Sequence, residues 1–226
     1  MDVRTLVAPI LTCGSYNEER RLSERYLRFN VDELKRAAVE CTGHVSCTSI
    51  RKLAEGGASK VFLLTMEDGF EVVAKLPTPI AGPPHYLTSS EVATMEFLRQ
   101  ELSFPVPRIY GWNSSSSPTT NPVGAEYIVM ERVQGVELSH CWKTLNRKER
   151  LMIIKRLCEY ESKLFTTTFS HYGSLYYRTD LSPEQQTPQG ERWCVGPTAD
   201  PSFWHGERQA LDLKRGPCNI PRAIGP

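Results

Sequence analysis

Apolar and polar positions alternate with the period of a β-strand between residues 46 and 75. Val61–Leu64 form one apolar run, and Val72–Ala74 form a second that leads into Lys75. The Asp68-Gly69 dipeptide between them is a strong hairpin-turn signal. A second turn, Gly56-Gly57, precedes the first run. The pattern therefore predicts three antiparallel strands joined by a glycine turn and a hairpin turn.

Two helices are predicted before this unit. Residues 15–29 carry dense mixed charge with Leu22, Tyr26 and Phe29 at helical spacing, which predicts an exposed helix with a narrow apolar stripe. A second helix is expected to start at Asn30, which can cap it, with Glu33 as the capping-box partner. Its apolar positions are Leu34, Ala37, Ala38 and Cys41, and Gly43 is a natural stop.

Two further helices are predicted after the three strands. A proline-rich linker over 77–84 is followed by Thr88 or Ser89 as a helix cap, which places Glu91 in the first turn. Asn146 and Glu149 form a second capping-box pattern. The apolar face predicted for that helix contains Leu151, Ile154, Leu157, Cys158 and Leu164.

The remaining segments predict an α+β protein with shorter elements towards its end. Residues 104–110 and 125–132 are predicted to be extended, with a polar loop over 113–122 between them. Residues 170–178 predict a short strand pair, the chain from Leu181 onward is expected to be irregular, and 218–226 is expected to be a loose end. We divide the chain into a helical extension (1–45), a small sheet domain (46–135) and a third segment (136–226).

Composition excludes several classes of function. The 226 residues hold 27 basic and 26 acidic side chains, which gives no electrostatic reason to expect nucleic acid as a partner. No apolar run approaches the roughly 20 residues of a membrane span, and the first residues make a poor signal or transit peptide. The 7 cysteines are scattered, as expected for reduced thiols. Cys41, His44 and Cys47 lack the spacing of a zinc site, so no metal ligands are assigned.

The glycine turn and Lys75 suggest a nucleotide site, although an ordinary hairpin explains Gly56-Gly57 equally well. A glycine turn that covers phosphates, followed by a lysine on the next strand, is the arrangement of kinase-like folds. An acid in the following helix can pair with that lysine, which is the functional interpretation of Glu91. The alternative interpretation is that Glu91 compensates the helix dipole, and the two are compatible.

At this point several long motifs in order carry a resemblance. Residues 52–69 (KLAEGGASKVFLLTMEDG), 72–99 (VVAKLPTPIAGPPHYLTSSEVATMEFLR), 104–112 (FPVPRIYGW), 121–138 (NPVGAEYIVMERVQGVEL) and 203–217 (FWHGERQALDLKRGP) are similar to the fungal branch of the aminoglycoside phosphotransferase family. Within that branch they resemble the altered inheritance of mitochondria protein 9 type. The resemblance covers about residues 16–217. It implies a protein-kinase-like N-lobe at 46–135, an incomplete helical second lobe after it, and a mitochondrial location. Without the resemblance, a cytoplasmic location is the expectation, because the sequence shows no clear targeting signal.

The resemblance also implies an ATP site. Carried over position by position, Gly56, Gly57, Ala58 and Ser59 would cover the phosphates. Lys75 would hold the α and β phosphates and Glu91 would pair with it, while the backbone from Glu131 to Val133 would form the hinge beneath adenine.

The catalytic half of the family pattern has no counterpart. The family has His-Gly-Asp followed by Asn, then an Asp that binds Mg²⁺; the nearest match is His205-Gly206-Glu207 with Asp212. We assign no catalytic residue, and Mg²⁺, expected for the family, has no ligands here. Since the sequence ends at Pro226, where the catalytic core would begin, we expect a C-terminally shortened, inactive phosphotransferase relative. The alternative is a non-catalytic module that binds nucleotide or a protein partner through an exposed lobe surface.

Overall fold

A five-stranded antiparallel sheet forms the centre of the molecule. The computed structural model describes residue 20 and residues 23–219. The sheet has the order β1-β2-β3-β5-β4. Its strands are β1 (Cys47–Glu55), β2 (Ser59–Met66), β3 (Glu71–Pro77), β4 (Ile109–Asn113) and β5 (Tyr127–Glu131). The three predicted strands over 46–75 are confirmed, and Gly69 has the positive φ of 85° that the hairpin turn requires.

Four α-helices are described over their full length: α1 (Val31–Thr42), α2 (Tyr86–Gln100), α3 (Leu138–Cys141) and α4 (Arg147–Thr166). Asn30 caps α1 as predicted, because its side chain accepts from the backbone N–H groups of Asp32 and Glu33. Gly43 ends the helix in the left-handed conformation. The carboxylate of Glu33 pairs with Arg36, so the predicted capping-box role of Glu33 is not what the structure shows.

The outer face of the sheet is covered by α1 and by the segment that precedes it. Leu34 and Ala38 of α1 join a core cluster with Phe62 and Leu64 of β2. Phe29 packs on Phe62, with ring centroids 5.3 Å apart. Residues 27–38 therefore cover this side of the sheet, which leaves the opposite face for α2.

Helix α2 lies between the five-stranded sheet and a second, three-stranded sheet. That second sheet has the order β7-β9-β8, with β7 (Ser174–Tyr177), β8 (Thr187–Gln189) and β9 (Trp193–Gly196). Val92 of α2 packs with Ile128 and Met130 of the large sheet, whereas Ala93 packs with Leu175 and Trp193 of the small sheet. The helix is therefore held on two sides. The predicted α+β class with an antiparallel sheet and a following helix is confirmed.

The helix predicted over 15–29 is wrong at its described end. Residues 20, 23 and 24 are helical, as predicted, whereas residues 25–30 are not, and most of residues 15–22 lies outside the described part. Leu27 and Phe29 are buried whereas Tyr26 is exposed, which is the alternation of an extended segment. Asn30 fixes this course by donating its N–H to the Val123 carbonyl, 2.8 Å away.

The prediction for the last third of the chain needs two corrections. The short strands at 170–178, β6 (His171–Tyr172) and β7, do not pair with each other: β6 pairs with β10 (Cys218–Asn219) and β7 with β9. The chain after Leu181 is not simply irregular. It contains β8, β9 and three 3-10 helices, at Pro183–Gln185, Pro201–Phe203 and Gly206–Ala210. Residues 220–226 of the predicted loose end lie outside the described part.

Helix α4 forms as predicted but is not buried. Asn146 and Glu149 make the complete capping box. Leu151, Ile154, Leu157 and Leu164 are all exposed. A ring contact between Tyr160 and Phe104, at 4.8 Å, and a hydrogen bond from Lys163 Nζ to the Leu102 carbonyl, at 2.9 Å, connect the helix to the end of α2. Among the described residues, no helix combines the length and apolar character needed to cross a membrane.

Candidate nucleotide site

Lys75 and Glu91 form an ion pair beneath the large sheet. Lys75 lies near the end of β3, and its Nζ contacts the Glu91 carboxylate of α2. Both side chains are partly accessible, 29% and 28% exposed. The pair is thus positioned at the surface of the sheet rather than enclosed in the core, and a ligand can reach it.

Glu91 is not in the first turn of its helix, as the sequence had suggested. Helix α2 begins at Tyr86, so Thr88 and Ser89 are buried helical residues and neither is the cap. Glu91 is the sixth residue of the helix. Because the effect of the helix dipole on a charge is confined to the terminal turn, the dipole interpretation of Glu91 loses its basis. The contact with Lys75 remains.

The glycine turn lies at the same end of the sheet as Lys75. Its chain direction is fixed by a hydrogen bond from Gly56 N–H to the Ser59 carbonyl, 2.9 Å long. Thr78, just after β3, bonds to it twice: its hydroxyl donates to the Gly57 carbonyl at 3.1 Å and its N–H donates to the Ala58 carbonyl at 3.0 Å. Val61 is the register partner of Lys75, which places the turn beyond the lysine along the strand.

Nothing within the described chain demands glycine at positions 56 and 57. Neither residue has a positive φ, and a Cβ added at either would meet no atom within 4 Å. The space above both residues is therefore open. Such a turn allows a close approach of another molecule to the backbone.

The predicted hinge follows β5 directly. Glu131 ends the strand, and its N–H donates to the Arg108 carbonyl at 2.8 Å while its carboxylate accepts from Arg108 N–H at 3.0 Å. The N–H of Glu131 is therefore engaged within the protein. Val133, two residues later, is exposed. A contact to adenine through a hinge N–H would fall to the residues after Glu131.

The residues that were considered as a catalytic loop or a metal site and not assigned lie outside the candidate nucleotide site. His205-Gly206-Glu207 enters the exposed 3-10 helix Gly206–Ala210. Cys41 packs against Gly111, and burial raises the pKa of its thiol to about 11. Within residue 20 and residues 23–219, no group of three or more His, Cys, Asp or Glu side chains is arranged to hold a metal ion.

Sequence reasoning missed Glu126 and His85. Glu126 is buried at the approach to β5, where its carboxylate accepts from the His85 N–H, 2.8 Å away, and from the Thr88 hydroxyl. Burial raises the pKa of Glu126, and the two hydrogen bonds and the nearby His85 ring partly offset that rise. An acid within the apolar stretch Ala125–Met130 is the signal that could have indicated it, because lone buried acids are rare.

A cavity elsewhere in the molecule does not coincide with the Lys75–Glu91 pair and the glycine turn. A cavity of about 730 Å³ lies between residues 26–32 and the loop 118–124 on the outer side of the sheet. Its lining contains none of the residues predicted to hold a nucleotide. We locate the candidate site by the ion pair and the glycine turn, because a turn that covers a phosphate is open on the ligand side and need not enclose a cavity.

Comparison with curated proteins finds relatives among fungal proteins. The chain is 49% identical over 174 residues to a subtelomeric hrmA-associated cluster protein of Aspergillus fumigatus, which covers 77% of this chain and 34% of that protein. It is 27% identical over 231 residues to altered inheritance of mitochondria protein 9 of Yarrowia lipolytica, which covers 89% of this chain and 39% of that protein. The predicted resemblance to this type is confirmed.

The names of the Yarrowia protein and of its Debaryomyces hansenii counterpart, 29% identical over 182 residues, describe both as mitochondrial, in agreement with the location that the resemblance implied. The chain spans about a third of the length of the first relatives it matches, 34%. No family model matches it.

Solved structures give a weaker likeness. A thermostable mutant of aminoglycoside phosphotransferase APH(4)-Ia, in a ternary complex with AMP-PNP and hygromycin B, is 16% identical to the chain with a TM-score of 0.40. That match covers 63% of this chain and 42% of the other. At this score the likeness carries no argument about the site, which therefore depends on the geometry described above.

Proposed function

We propose that the chain contains the nucleotide-holding half of a kinase-like phosphotransferase, and that its ligand is ATP. The observation that carries the proposal is the Lys75–Glu91 ion pair at the end of the sheet where the glycine turn lies. In kinase-like folds a lysine on the third strand, fixed by an acid of the next helix, binds the α and β phosphates.

The pairing gives Lys75 a definite position. An unpaired lysine has four rotatable bonds and would lose that freedom on binding phosphate, whereas a side chain already held by Glu91 is pre-organised. The ammonium keeps further donors for phosphate oxygens, because a lysine has three N–H groups. The partial exposure of both side chains leaves those donors accessible.

The turn from Gly56 to Ser59 would cover the phosphates of the bound ATP. Neither the backbone conformation nor neighbouring atoms of the described chain require glycine at positions 56 and 57. The hydrogen bonds to Thr78 attach the turn to the end of the strand that carries Lys75. Backbone N–H groups of such a turn can bind phosphate oxygens. Glu131 and Val133 mark the hinge backbone that would lie beneath adenine.

An isothermal titration with ATP tests the proposal. Wild-type protein should bind, and Lys75→Met should weaken binding roughly tenfold or more, the order of magnitude of one charge-assisted phosphate contact. Lys148→Ala, at an exposed position of α4, is the matched charge control and should bind as wild type does. Absence of any heat with wild-type protein, or equal affinity for the Lys75→Met protein, would refute the proposal.

We further propose that residues 1–226 do not transfer phosphate on their own. The sequence has no His-Gly-Asp loop followed by Asn, and the residues that resemble that loop most, from His205 to Glu207, are exposed. No Mg²⁺ ligand set is available among the described residues, so no step through the metal is assigned. Phosphate release from ATP that disappears in both Lys75→Ala and Glu207→Ala would contradict this proposal.

A protein-binding module is the second candidate. The observation that favours it is the unburied apolar face of α4, where Phe165 is 88% exposed. Exposed apolar patches of this kind are typical of interaction surfaces. Sedimentation of the purified chain would separate the candidates: a nucleotide-binding lobe alone should bind ATP in the monomer, whereas an interaction module should associate and lose association on Phe165→Glu.

A further inference from the structure

Glu126 is a buried carboxylate with two defined donors. Its side chain lies just before β5, and the residue is only 7% exposed. One oxygen accepts from the His85 N–H at 2.8 Å, and the other accepts from the Thr88 hydroxyl. Both donors belong to the start of α2, so the carboxylate connects that helix to the central sheet.

The carboxylate accepts the backbone N–H of the residue that precedes α2. The first N–H groups of a helix have no partner within the helix and need an external acceptor. The residue before α2, His85, makes no side-chain cap bond. The Pro84 and Pro83 carbonyls accept from the N–H groups of Tyr86 and Leu87. Glu126 accepts the N–H of His85 from a distant part of the sequence, 41 residues away.

His85 is fixed from several directions. Its φ of 68° is a conformation that residues other than glycine rarely adopt. One ring nitrogen lies 2.8 Å from the Ser114 hydroxyl, and the other lies 3.1 Å from the Asp180 carbonyl. Such a strained residue persists only when its surroundings hold it, so the start of α2 is determined by contacts from both sheets.

The position of Glu91 depends on where α2 begins. Thr88 and Glu91 are three residues apart and are neighbours on the helix surface. A shift of the first turn along β5 would therefore carry the Glu91 carboxylate away from Lys75. We infer that Glu126, through Thr88 and His85, is a positioning residue that sets the start of α2 and holds Glu91 against Lys75; its consequence for nucleotide binding depends on the function proposed above.

The energetics favour a role of this kind over simple stabilisation. A buried charge costs free energy to desolvate, and apolar replacements at such sites are often neutral or stabilising. The raised pKa of Glu126 reports the same cost. An apolar side chain at this position could not accept hydrogen bonds, whereas the carboxylate accepts one from each of two donors.

The test measures the Lys75–Glu91 pair itself. The full chain is treated with formaldehyde and cyanoborohydride, and methylation of Lys75 is timed by mass spectrometry with exposed Lys148 as the internal reference. Thr88→Val keeps the side-chain shape and removes the hydroxyl, whereas Thr88→Ser keeps the hydroxyl. Lysines freed from a carboxylate react faster, so Thr88→Val should accelerate Lys75 roughly fivefold, as expected for the loss of one hydrogen bond, and Thr88→Ser should not.

Two controls separate positioning from general loosening. Leu34→Ala, in the fully buried part of α1 on the other face of the sheet, lowers stability without touching α2 and should leave Lys75 methylation unchanged. In a Glu91→Gln background, Thr88→Val should no longer change the rate, because no carboxylate is left to position. Glu126→Gln keeps an acceptor for His85 and should give a smaller acceleration than Thr88→Val.

The inference is overturned if Thr88→Val leaves the Lys75 rate unchanged, or if Leu34→Ala raises it equally. ATP affinity is measured on the same proteins. If wild-type protein binds no ATP while Lys75 methylation responds to Thr88→Val, the proposed function fails and the positioning role stands. If ATP binds and methylation does not respond, the positioning role fails alone.

Discussion

The five-stranded sheet and helix α4 contrast in how they use apolar residues. In β2, Leu64 is fully buried, at 0% exposure, between α1 and its neighbouring strands. In α4, Leu157 occupies an equally regular apolar position and is 54% exposed. Both elements were predicted from period and turn signals alone. The comparison shows that a regular pattern determines the type of an element but not whether anything covers it.

The physical basis is that hydrogen bonds within one element and packing against other elements contribute separately to stability. A 20-residue helix with a complete capping box can form with few contacts, because its hydrogen bonds are internal. A strand cannot, because its hydrogen bonds need a neighbour. The sheet residues are therefore bound into one cooperative core, whereas α4 is connected mainly through Tyr160 and Lys163.

The largest expected effect comes from matched leucine truncations. Leu64→Ala should lower the free energy of unfolding by about 2–5 kcal/mol, because it leaves a cavity in the core. Leu157→Ala should change it by less than about 0.5 kcal/mol, as is usual at exposed positions. Urea denaturation followed by tryptophan fluorescence measures both. A cost for Leu157→Ala similar to that for Leu64→Ala would show that α4 is packed in solution and would end the contrast.

A smaller effect is expected from the two asparagine caps. Asn30 caps α1 by accepting from two backbone N–H groups, and Asn146 caps α4 by accepting from one within a complete capping box. Asn30→Ala should destabilise the whole protein by about 1 kcal/mol, since α1 belongs to the core. Asn146→Ala should instead raise hydrogen exchange within α4 and leave the unfolding midpoint unchanged. Equal shifts of the midpoint would mean that α4 unfolds together with the sheet.

Much of the fold could be predicted because its signals are local. Asp68-Gly69, the Asn30 cap and Gly43 each specify a turn or a helix end by their own backbone preferences. Strands β8 and β9 of the second sheet could not be predicted, because they have only three and four residues. Runs that short have no measurable period, and their burial depends on contact with α2.

The candidate site was predictable in part for a similar reason. Lys75 and Glu91 follow from strand and helix patterns, and the structure brings them together. The start of α2 was predicted wrongly, because the helix begins at Tyr86 without a side-chain cap. Thr88 looks like a helix cap by type, but its hydroxyl donates to Glu126, 38 residues away. Hydrogen-bond partners that far apart in sequence are determined by the topology of the fold, and no local sequence motif predicts the topology of a sheet.

The smallest expected effect concerns pH and separates Glu126 from the apolar core around it. Burial raises the native pKa of Glu126 above its ordinary value of 4.5. The native state therefore binds more protons than the unfolded state within that interval, and the stability contributed by this group falls as pH rises from 4.5 towards the native pKa. Glu126→Gln cannot titrate, so its unfolding free energy relative to wild type should rise over the same interval and then stay level. Urea denaturation of both proteins from pH 4 to pH 8 measures this difference, and parallel curves would show that the carboxylate is solvated in solution and does not form the buried connection to α2.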